Sequence, residues 1–190
     1  MNCRRKIFAA PAILGLACAM ALASAQAQTA GGPTLTDSQT IGSWTVHCFR
    51  AQQTICEMEE VMVERNSDTK VASVAINYVP KSNTYFGRFG APLGVAFEPG
   101  LELEVGAFHG TNLRFGICAK DGCYVTGLLP SALMDAMKDP TVDKGDMDVQ
   151  MIDGRKIQIP IALNGFADGL DLLKKWTLEK SGEGAKSSNN

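Results

Sequence analysis

The sequence predicts an all-β fold, a sandwich or a barrel, with two short helices in its C-terminal third. Short segments in which apolar and polar residues alternate recur along the chain, as strands with one buried face do. Turn-forming residues interrupt these segments roughly every ten positions. Beyond the N-terminal segment, the four cysteines fall into two close pairs. This arrangement is typical of disulfide-bonded proteins that are exported.

The first 27 residues predict a secretory signal peptide. Basic residues at 4–6 precede an apolar run at 7–22, and small residues at 23–27 offer a cleavage site. An uncleaved membrane anchor is the alternative, although the end of the run is small and polar rather than basic. Cys18 resembles a lipoprotein acceptor only weakly, because glycine stands three positions earlier, where leucine is expected.

Removal of this segment leaves 163 of the 190 residues, a length suited to one domain. The remaining 15 basic and 20 acidic residues give a formal charge of −5 without a basic stripe, so we expect no nucleic-acid partner. No later stretch is long and apolar enough to span a bilayer. We expect a soluble periplasmic or secreted β-domain at 42–178, a flexible lead-in at 28–41 and a disordered tail at 179–190.

Residues 42–64 predict the first hairpin. Trp44 and Cys48 lie on the inward side of an alternating segment, a polar loop follows, and Cys56 resumes the inward alternation. Cys48 and Cys56 therefore face each other across the hairpin, close enough to form a disulfide. On the second strand of this hairpin, three acidic side chains are expected to point outward: Glu57, Glu59 and Glu60.

Three strands are expected between the hairpins, at 70–79, 85–89 and 101–105. In the second of these, alternation leaves Phe86 and Arg88 pointing outward. Exposed aromatic and arginine side chains are enriched at interaction hot spots. This short strand is therefore the best candidate for a binding surface.

A second hairpin is predicted at 113–129, because Asp121-Gly122 is a strong hairpin signal between two alternating segments. Cys118 and Cys123 flank this turn, and we expect them to form the second disulfide. A four-cysteine zinc site is the alternative for the two pairs. Neither pair has the two-residue spacing of a zinc knuckle.

The C-terminal third predicts two helices around a third hairpin. A helix is expected at 131–138, where an apolar face lies between proline-containing boundaries. Alternating segments around an Asp-Gly turn predict a hairpin at 147–161. A second short helix is expected at 164–175.

Several short motifs occur in one order along the chain: Trp44-Thr45-Val46-x-Cys48, Cys56-Glu57-Met58, Pro92-Leu93-Gly94-Val95, Pro99-Gly100-Leu101-Glu102-Leu103, Cys118-x4-Cys123 and Ile159-Pro160-Ile161. Over roughly residues 42–176, their order and spacing resemble the invasion-associated locus B family of exported bacterial proteins. The resemblance implies an immunoglobulin-like β-sandwich with two short-range disulfides, exported to the periplasm or beyond. Some members are linked to host-cell invasion, whereas many others occur in bacteria that invade nothing. The resemblance carries over no catalytic residue.

The sequence offers little for catalysis. Its two histidines are His47, on a strand beside Cys48, and His109, which is expected in an exposed, glycine-flanked loop. The motifs of serine hydrolases, zinc proteases, phosphate loops and dinucleotide-binding folds do not occur. We expect no enzymatic activity and no cofactor. A small-ligand carrier, or an enzyme with a pocket around either histidine, is the alternative.

Two sets of metal-ligand residue types are interpreted as structural. Met58 with Met62, and Met147 with Met151, could offer thioethers to copper, but methionine is also an ordinary core residue. Six acidic residues could attract calcium, but they do not have calcium-ligand spacing: Glu98, Glu102, Glu104, Asp143, Asp146 and Asp148. We interpret the methionines as core and the acidic residues as a solvated strand face.

The predicted interaction surface consists of Phe86, Arg88 and His109. We expect a non-enzymatic envelope protein that meets another protein or envelope component. The contact is expected at a loop cluster or an exposed strand edge, the parts by which sandwiches commonly bind.

Overall fold

The computed structural model describes residues 32–181, so the predicted signal peptide and residues 182–190 lie outside the described part. The strands, in chain order, are β1 (Thr34–Ile41), β2 (Trp44–Arg50), β3 (Thr54–Val63), β4 (Lys70–Val79), β5 (Thr84–Ala91), β6 (Leu101–Val105), β7 (Phe108–Leu113), β8 (Ile117–Ala119), β9 (Gly122–Leu128), β10 (Lys144–Gln150) and β11 (Lys156–Ala162). The helices are α1 (Ser131–Lys138) and α2 (Phe166–Ser181). Within these residues, neither helix combines the length and the apolar composition needed to cross a membrane.

The strands form two antiparallel sheets. Seven strands follow the order β1-β2-β3-β4-β5-β9-β8, and four follow the order β11-β10-β6-β7. Since β1 to β5 are neighbours in both sequence and space, the first half of the domain is a meander of consecutive hairpins. The predicted all-β sandwich class, with both helices in the C-terminal third, is confirmed.

The inner side of the β2–β3 hairpin is covered by β11 and α2. Trp44 is fully buried, and its indole Nε1 donates a hydrogen bond to the carbonyl oxygen of Ala162 at 2.8 Å. Its ring also meets Phe166 edge to face, with the centroids 5.1 Å apart. Helix α2 approaches β3 closely because Gly169 has no side chain: a Cβ there would lie 2.6 Å from the Met58 sulfur. The first hairpin is therefore built into the centre of the core.

All three predicted hairpins are present, and the two predicted disulfides close two of them. Cys48 and Cys56 are direct partners in the β2–β3 register and are bonded. Cys118 and Cys123 have the same relation in the β8–β9 register. The third hairpin pairs β10 with β11 along their full lengths. The sequence-local disulfide pairing is confirmed, and because these four cysteines are bonded to one another, the two pairs offer no thiolate for the four-cysteine zinc site.

Both ends of the predicted domain need correction. Strand β1 occupies most of the predicted flexible lead-in at 28–41 and pairs with β2. Its side chains are mostly exposed, so backbone hydrogen bonds rather than apolar burial hold it at the sheet edge. Helix α2 continues to Ser181, into the predicted disordered tail at 179–190. There, the Lys180 Nζ atom contacts the Asp37 Oδ2 atom of β1 at 2.6 Å.

Two side-chain placements expected from the sequence are also wrong. Glu60 does not point outward: its exposed fraction is 7%, and it lies on the side of β3 that buries Cys56 and Met58. Because strand side chains alternate, three glutamates within four residues cannot all point outward. His109 does not lie in a loop. It is part of β7, directly opposite Glu104 on β6.

Candidate functional site

The outer face of the seven-stranded sheet carries the candidate site. The outer face is the side of this sheet that is turned away from the core. On β2, β3, β5 and β9 it is formed by His47, Phe49, Ile55, Glu57, Glu59, Val61, Phe86, Arg88, Gly90, Tyr124, Thr126 and Leu128. Cross-strand pairing sets Phe86 opposite Leu128 and Arg88 opposite Thr126. Phe86 and Arg88 thus point outward, as the alternation predicts.

Glu57 connects His47 and Arg88 across the outer face. The His47 Nε2 atom lies 3.5 Å from Glu57 Oε1, and Arg88 Nη2 donates to the two carboxylate oxygens at 3.4 and 3.5 Å. The hairpin register explains the first contact, because His47 and Glu57 are direct cross-strand partners. The imidazole also packs edge to face on Phe49, with the ring centroids 4.8 Å apart. The Glu57 carboxylate is consequently held by two partners and partly shielded from water.

A second arm of this network joins Lys70 to Tyr124. The Lys70 Nζ atom lies 3.5 Å from Glu59 Oε1 and 3.9 Å from Asp121 Oδ2. A hydrogen bond from the Tyr124 hydroxyl holds the pKa of Asp121 below its ordinary value. Burial, followed by this hydrogen bond and the Asp121 charge, raises the pKa of Tyr124 to about 12. The Arg88 guanidinium lies 5.6 Å from the centroid of the Tyr124 ring and so joins the two arms.

Small residues beneath the network allow Tyr124 to lie close to the sheet. Ser73 and Ala75 of β4 are buried although they belong to the outer face. A Cβ at Gly90 would lie 2.8 Å from Cε1 of Tyr124 and 3.1 Å from the Ser73 hydroxyl oxygen. The centre of the outer face is therefore closed over by a tyrosine, rather than open as a pocket.

Exposed apolar side chains border the charged network. Phe86 and Leu128 face each other directly, with exposed fractions of 38% and 67%. Ile117 lies opposite Tyr124 and is exposed by 63%, and Ile55 of β3 is also exposed. Apolar and aromatic side chains next to an arginine that is already held in place form a composition typical of protein-binding surfaces.

His109 lies on the other sheet and does not meet Phe86 and Arg88. Its Nδ1 atom is 3.3 Å from Oε1 of Glu104, and its side chain is largely exposed. Together with residues of α1, including Asp135, it lines an open cleft of about 430 Å³. The predicted interaction surface therefore occupies two separate places on the molecule.

The residue types considered for copper and calcium occupy structural positions. Met58 and Met147 are fully buried in the core, as predicted. On the four-stranded sheet, Glu102 of β6 stands directly opposite Asp148 of β10. Burial raises the pKa of Asp148, a hydrogen bond with Gln158 opposes this shift, and nearby carboxylates add to it. This side of the second sheet is therefore acidic.

Sequence reasoning missed Glu57 and Glu59 as partners of His47. Within residues 32–181, the atoms of these three side chains that could ligate a metal ion lie within 4.8 Å of one another. The signal was present in the register: once Cys48 is opposite Cys56, the adjacent residue His47 must fall opposite Glu57. Arg88, which contacts Glu57, lies on β5, 31 residues away in the sequence, and no local pattern places it there.

Comparison with known proteins relates this fold to one family. Residues 44–174 match the family described as Invasion associated locus B (IalB) protein. The crystal structure of invasion associated protein b from Bartonella henselae is similar with a TM-score of 0.65 and 18% sequence identity, covering 75% of this chain and 99% of that chain. No curated protein matches the chain significantly. The family match runs from the start of β2 into α2 and so includes both disulfide-bonded hairpins.

Proposed function

The chain belongs to the invasion-associated locus B family, and we propose that it is an exported envelope protein that binds another protein and catalyses no reaction. Export is supported by the predicted signal peptide and by the two disulfides, since such bonds form and persist in oxidising compartments. We assign partner binding to the outer face of the seven-stranded sheet.

The exposed Phe86–Leu128 pair beside Arg88 carries this proposal. Aromatic and arginine side chains contribute most of the binding energy at many interfaces. Arg88 is already oriented by Glu57 and by the Tyr124 ring. A partner that uses this arginine would therefore lose less side-chain entropy than one that binds a freely moving arginine. The outer face thus presents an apolar anchor and a pre-oriented cation next to each other.

The surroundings of the histidines and cysteines support a role without catalysis. His47 contacts Glu57 and Phe49, and His109 contacts Glu104. These are contacts with carboxylates or a ring, whereas a base that activates a nucleophile contacts a hydroxyl or a thiol. The four cysteines of the described chain are disulfide-bonded and supply no thiolate.

Site-specific photo-crosslinking in the native envelope tests this proposal. A photoreactive amino acid at position 128 should give a defined crosslinked species, identified by mass spectrometry. The matched control is position 152, where Ile152 is exposed by 79% in the turn between β10 and β11. Crosslinks at 128 but not at 152 support the outer face as the binding surface. The same species from both positions, or none from 128, would overturn it.

A double variant of the outer face makes the crosslinking experiment quantitative. Replacing Phe86 and Leu128 together by alanine should reduce recovery of the crosslinked partner at least about tenfold, because hot-spot truncations cost about 2 kcal/mol or more. In this variant the photoreactive residue replaces Thr126, an exposed residue of β9 that lies opposite Arg88 on the same outer face. Ile152→Ala should leave recovery unchanged. Thermal melting of each variant establishes that the fold is retained.

A further inference from the structure

Three ligand-type side chains converge at the β2–β3 end of the outer face. His47, Glu57 and Glu59 are each half-buried, and within residues 32–181 their ligating atoms all lie within 4.8 Å of one another. We propose that these three side chains bind one first-row divalent cation of the zinc type. The inference does not rest on the proposed partner-binding function, although both use Glu57, because a metal ion at this carboxylate would release the Arg88 guanidinium that it holds.

The backbone holds these three ligands in fixed relative positions. His47 and Glu57 are direct cross-strand partners, and Glu59 is two residues further along β3 on the same face. The Cys48–Cys56 disulfide joins the next pair of positions and so locks the register. Metal ligands on paired strands are more rigid than ligands on a loop. The ligand side chains therefore lose most of their conformational entropy when the protein folds, and little more when a metal ion binds.

The separation of the donor atoms is close to what a bound cation needs. Zinc lies about 2.0–2.2 Å from nitrogen and oxygen ligands, which sets tetrahedral donors roughly 3.3–3.6 Å apart. The His47 Nε2 and Glu57 Oε1 atoms are 3.5 Å apart. The Glu59 ligand atom lies within 4.8 Å of the other two, so its side chain would have to rotate to reach the tetrahedral spacing. Three protein ligands leave at least one position for water, as in zinc sites that are open to solvent.

The contacts of Arg88 and Lys70 show that the Glu57 and Glu59 carboxylates favour positive charge beside them. Arg88 contacts Glu57 and Lys70 contacts Glu59, so both carboxylates already attract a cation. A divalent ion would replace these two contacts, and the displaced side chains can turn to solvent because both are partly exposed. Metal binding and the ion pairs therefore compete for the same carboxylate oxygens.

The ligand set selects the class of metal. A neutral imidazole suits zinc, copper and nickel, whereas magnesium and calcium favour sites made of oxygen ligands alone. One imidazole with two carboxylates therefore favours zinc over magnesium.

Isothermal titration calorimetry of the purified, oxidised protein with zinc chloride tests the site. We expect one zinc ion per chain and weaker binding of magnesium chloride. His47→Ala and Glu59→Gln should each weaken zinc binding at least about tenfold, since even residues outside the ligand shell can change affinity 10- to 100-fold. His109→Ala is the matched control, because His109 contacts the one carboxylate Glu104.

Two further variants separate a metal site from a purely structural ion-pair network. Arg88→Met and Lys70→Met should tighten zinc binding severalfold, because each removes a cation that competes for a ligand oxygen. Circular dichroism melts verify that each variant is folded. The proposal is wrong if wild-type and His47→Ala proteins bind zinc equally, if His109→Ala loses as much affinity, or if the Arg88 and Lys70 variants bind more weakly.

The zinc test and the crosslinking test can fail separately. Loss of the crosslink at position 128 with zinc binding intact removes the partner proposal alone. Absence of zinc binding with a position-128 crosslink retained removes the metal proposal alone.

Discussion

The two disulfide-bonded hairpins share a local design but lie at different depths. In the β2–β3 hairpin, Cys48 and Cys56 are both buried, with exposed fractions of 0% and 3%. In the β8–β9 hairpin, Cys123 is buried, whereas Cys118 lies on a three-residue strand that is exposed throughout. The first hairpin lies inside the sheet, with a further strand on each side, whereas the second hairpin forms one edge.

The surroundings of each hairpin, rather than its own sequence, produce this difference. Strands β2 and β3 have neighbours on both sides, and α2 packs across them. Strand β8 ends the sheet and pairs with β9 alone. A cysteine pair with a turn between its members therefore predicts the bond, but it does not predict how much the rest of the fold depends on that bond.

The largest expected effect is that of Trp44→Ala in the first hairpin. The change removes a fully buried indole, its hydrogen bond to Ala162 and its contact with Phe166. The free energy of unfolding should fall by about 3–5 kcal/mol, measured by urea denaturation followed by circular dichroism. Ile117→Ala, at an exposed site of the second hairpin, should change it by less than about 0.5 kcal/mol. Similar losses would mean that the hairpins do not differ in this way.

The disulfides offer a direct test of the same difference. Each closes a short loop, with sequence separations of 8 and 5, so chain entropy accounts for about 2–3 kcal/mol in each case. Removing Cys48 and Cys56 should cost more, because both side chains also fill the core. Cys118→Ser with Cys123→Ser should lower the melting temperature but preserve the circular dichroism spectrum. Identical melting of the oxidised and reduced wild-type protein would contradict both expectations.

Glu60 should make the first hairpin sensitive to pH. Burial raises the pKa of its carboxyl from 4.5 to about 7, although a hydrogen bond from the Ala162 backbone N–H opposes the shift. The folded state therefore retains a proton that the unfolded state has lost between these two values. The stability contributed by protonated Glu60 is complete below about pH 4.5 and is lost as pH rises through 7.

From pH 5 to pH 8 this loss should amount to roughly 2–3 kcal/mol, since one pKa unit corresponds to about 1.4 kcal/mol. Glu60→Gln keeps the shape without the charge, so its unfolding free energy should lack this decrease. Urea denaturation of both proteins across the pH range provides the comparison. Parallel pH profiles for wild type and Glu60→Gln would show that Glu60 remains ionised in the folded protein.

The smallest expected effect is that of Arg88→Met, which disconnects the two hairpins on the outer face. Arg88 contacts Glu57 of the first hairpin and the Tyr124 ring of the second. Its side chain is 42% exposed, so the loss should be at most about 1 kcal/mol and should shrink at high salt. Urea denaturation at low and high salt measures it. A larger, salt-independent loss would mean that packing, rather than charge, dominates.

Local patterns were sufficient to predict the hairpins and their disulfides. Alternation placed Cys48 and Cys56 on one side of two adjacent strands, and an Asp-Gly turn placed Cys118 opposite Cys123. The same reasoning failed for β1, because a polar edge strand is stabilised mainly by backbone hydrogen bonds and carries no apolar alternation. It failed for Glu60 because adjacent side chains of a strand point to opposite sides, which places Glu60 on the buried side of β3 with Cys56 and Met58.

The candidate site was predicted only where it depends on a single strand. Phe86 and Arg88 share the outward side of β5, and alternation is enough to show this. Their neighbours depend on sheet order: Leu128 is opposite Phe86 because β9 pairs with β5. The sequence predicts an exposed position for His109, but the fold places it on the other sheet, away from Phe86 and Arg88.

The amino-acid sequence alone predicts the β class, the three hairpins, the two disulfides and the inward side of most strands. These features depend on residues close together in the chain, where spacing and turn chemistry restrict the possible geometry. The folded chain adds what no single segment predicts: β5 lies between β4 and β9, Arg88 reaches Glu57, and Glu60 is buried against Ala162. Such contacts join distant segments, and their register is set by the packing of the whole core rather than by any one stretch of chain.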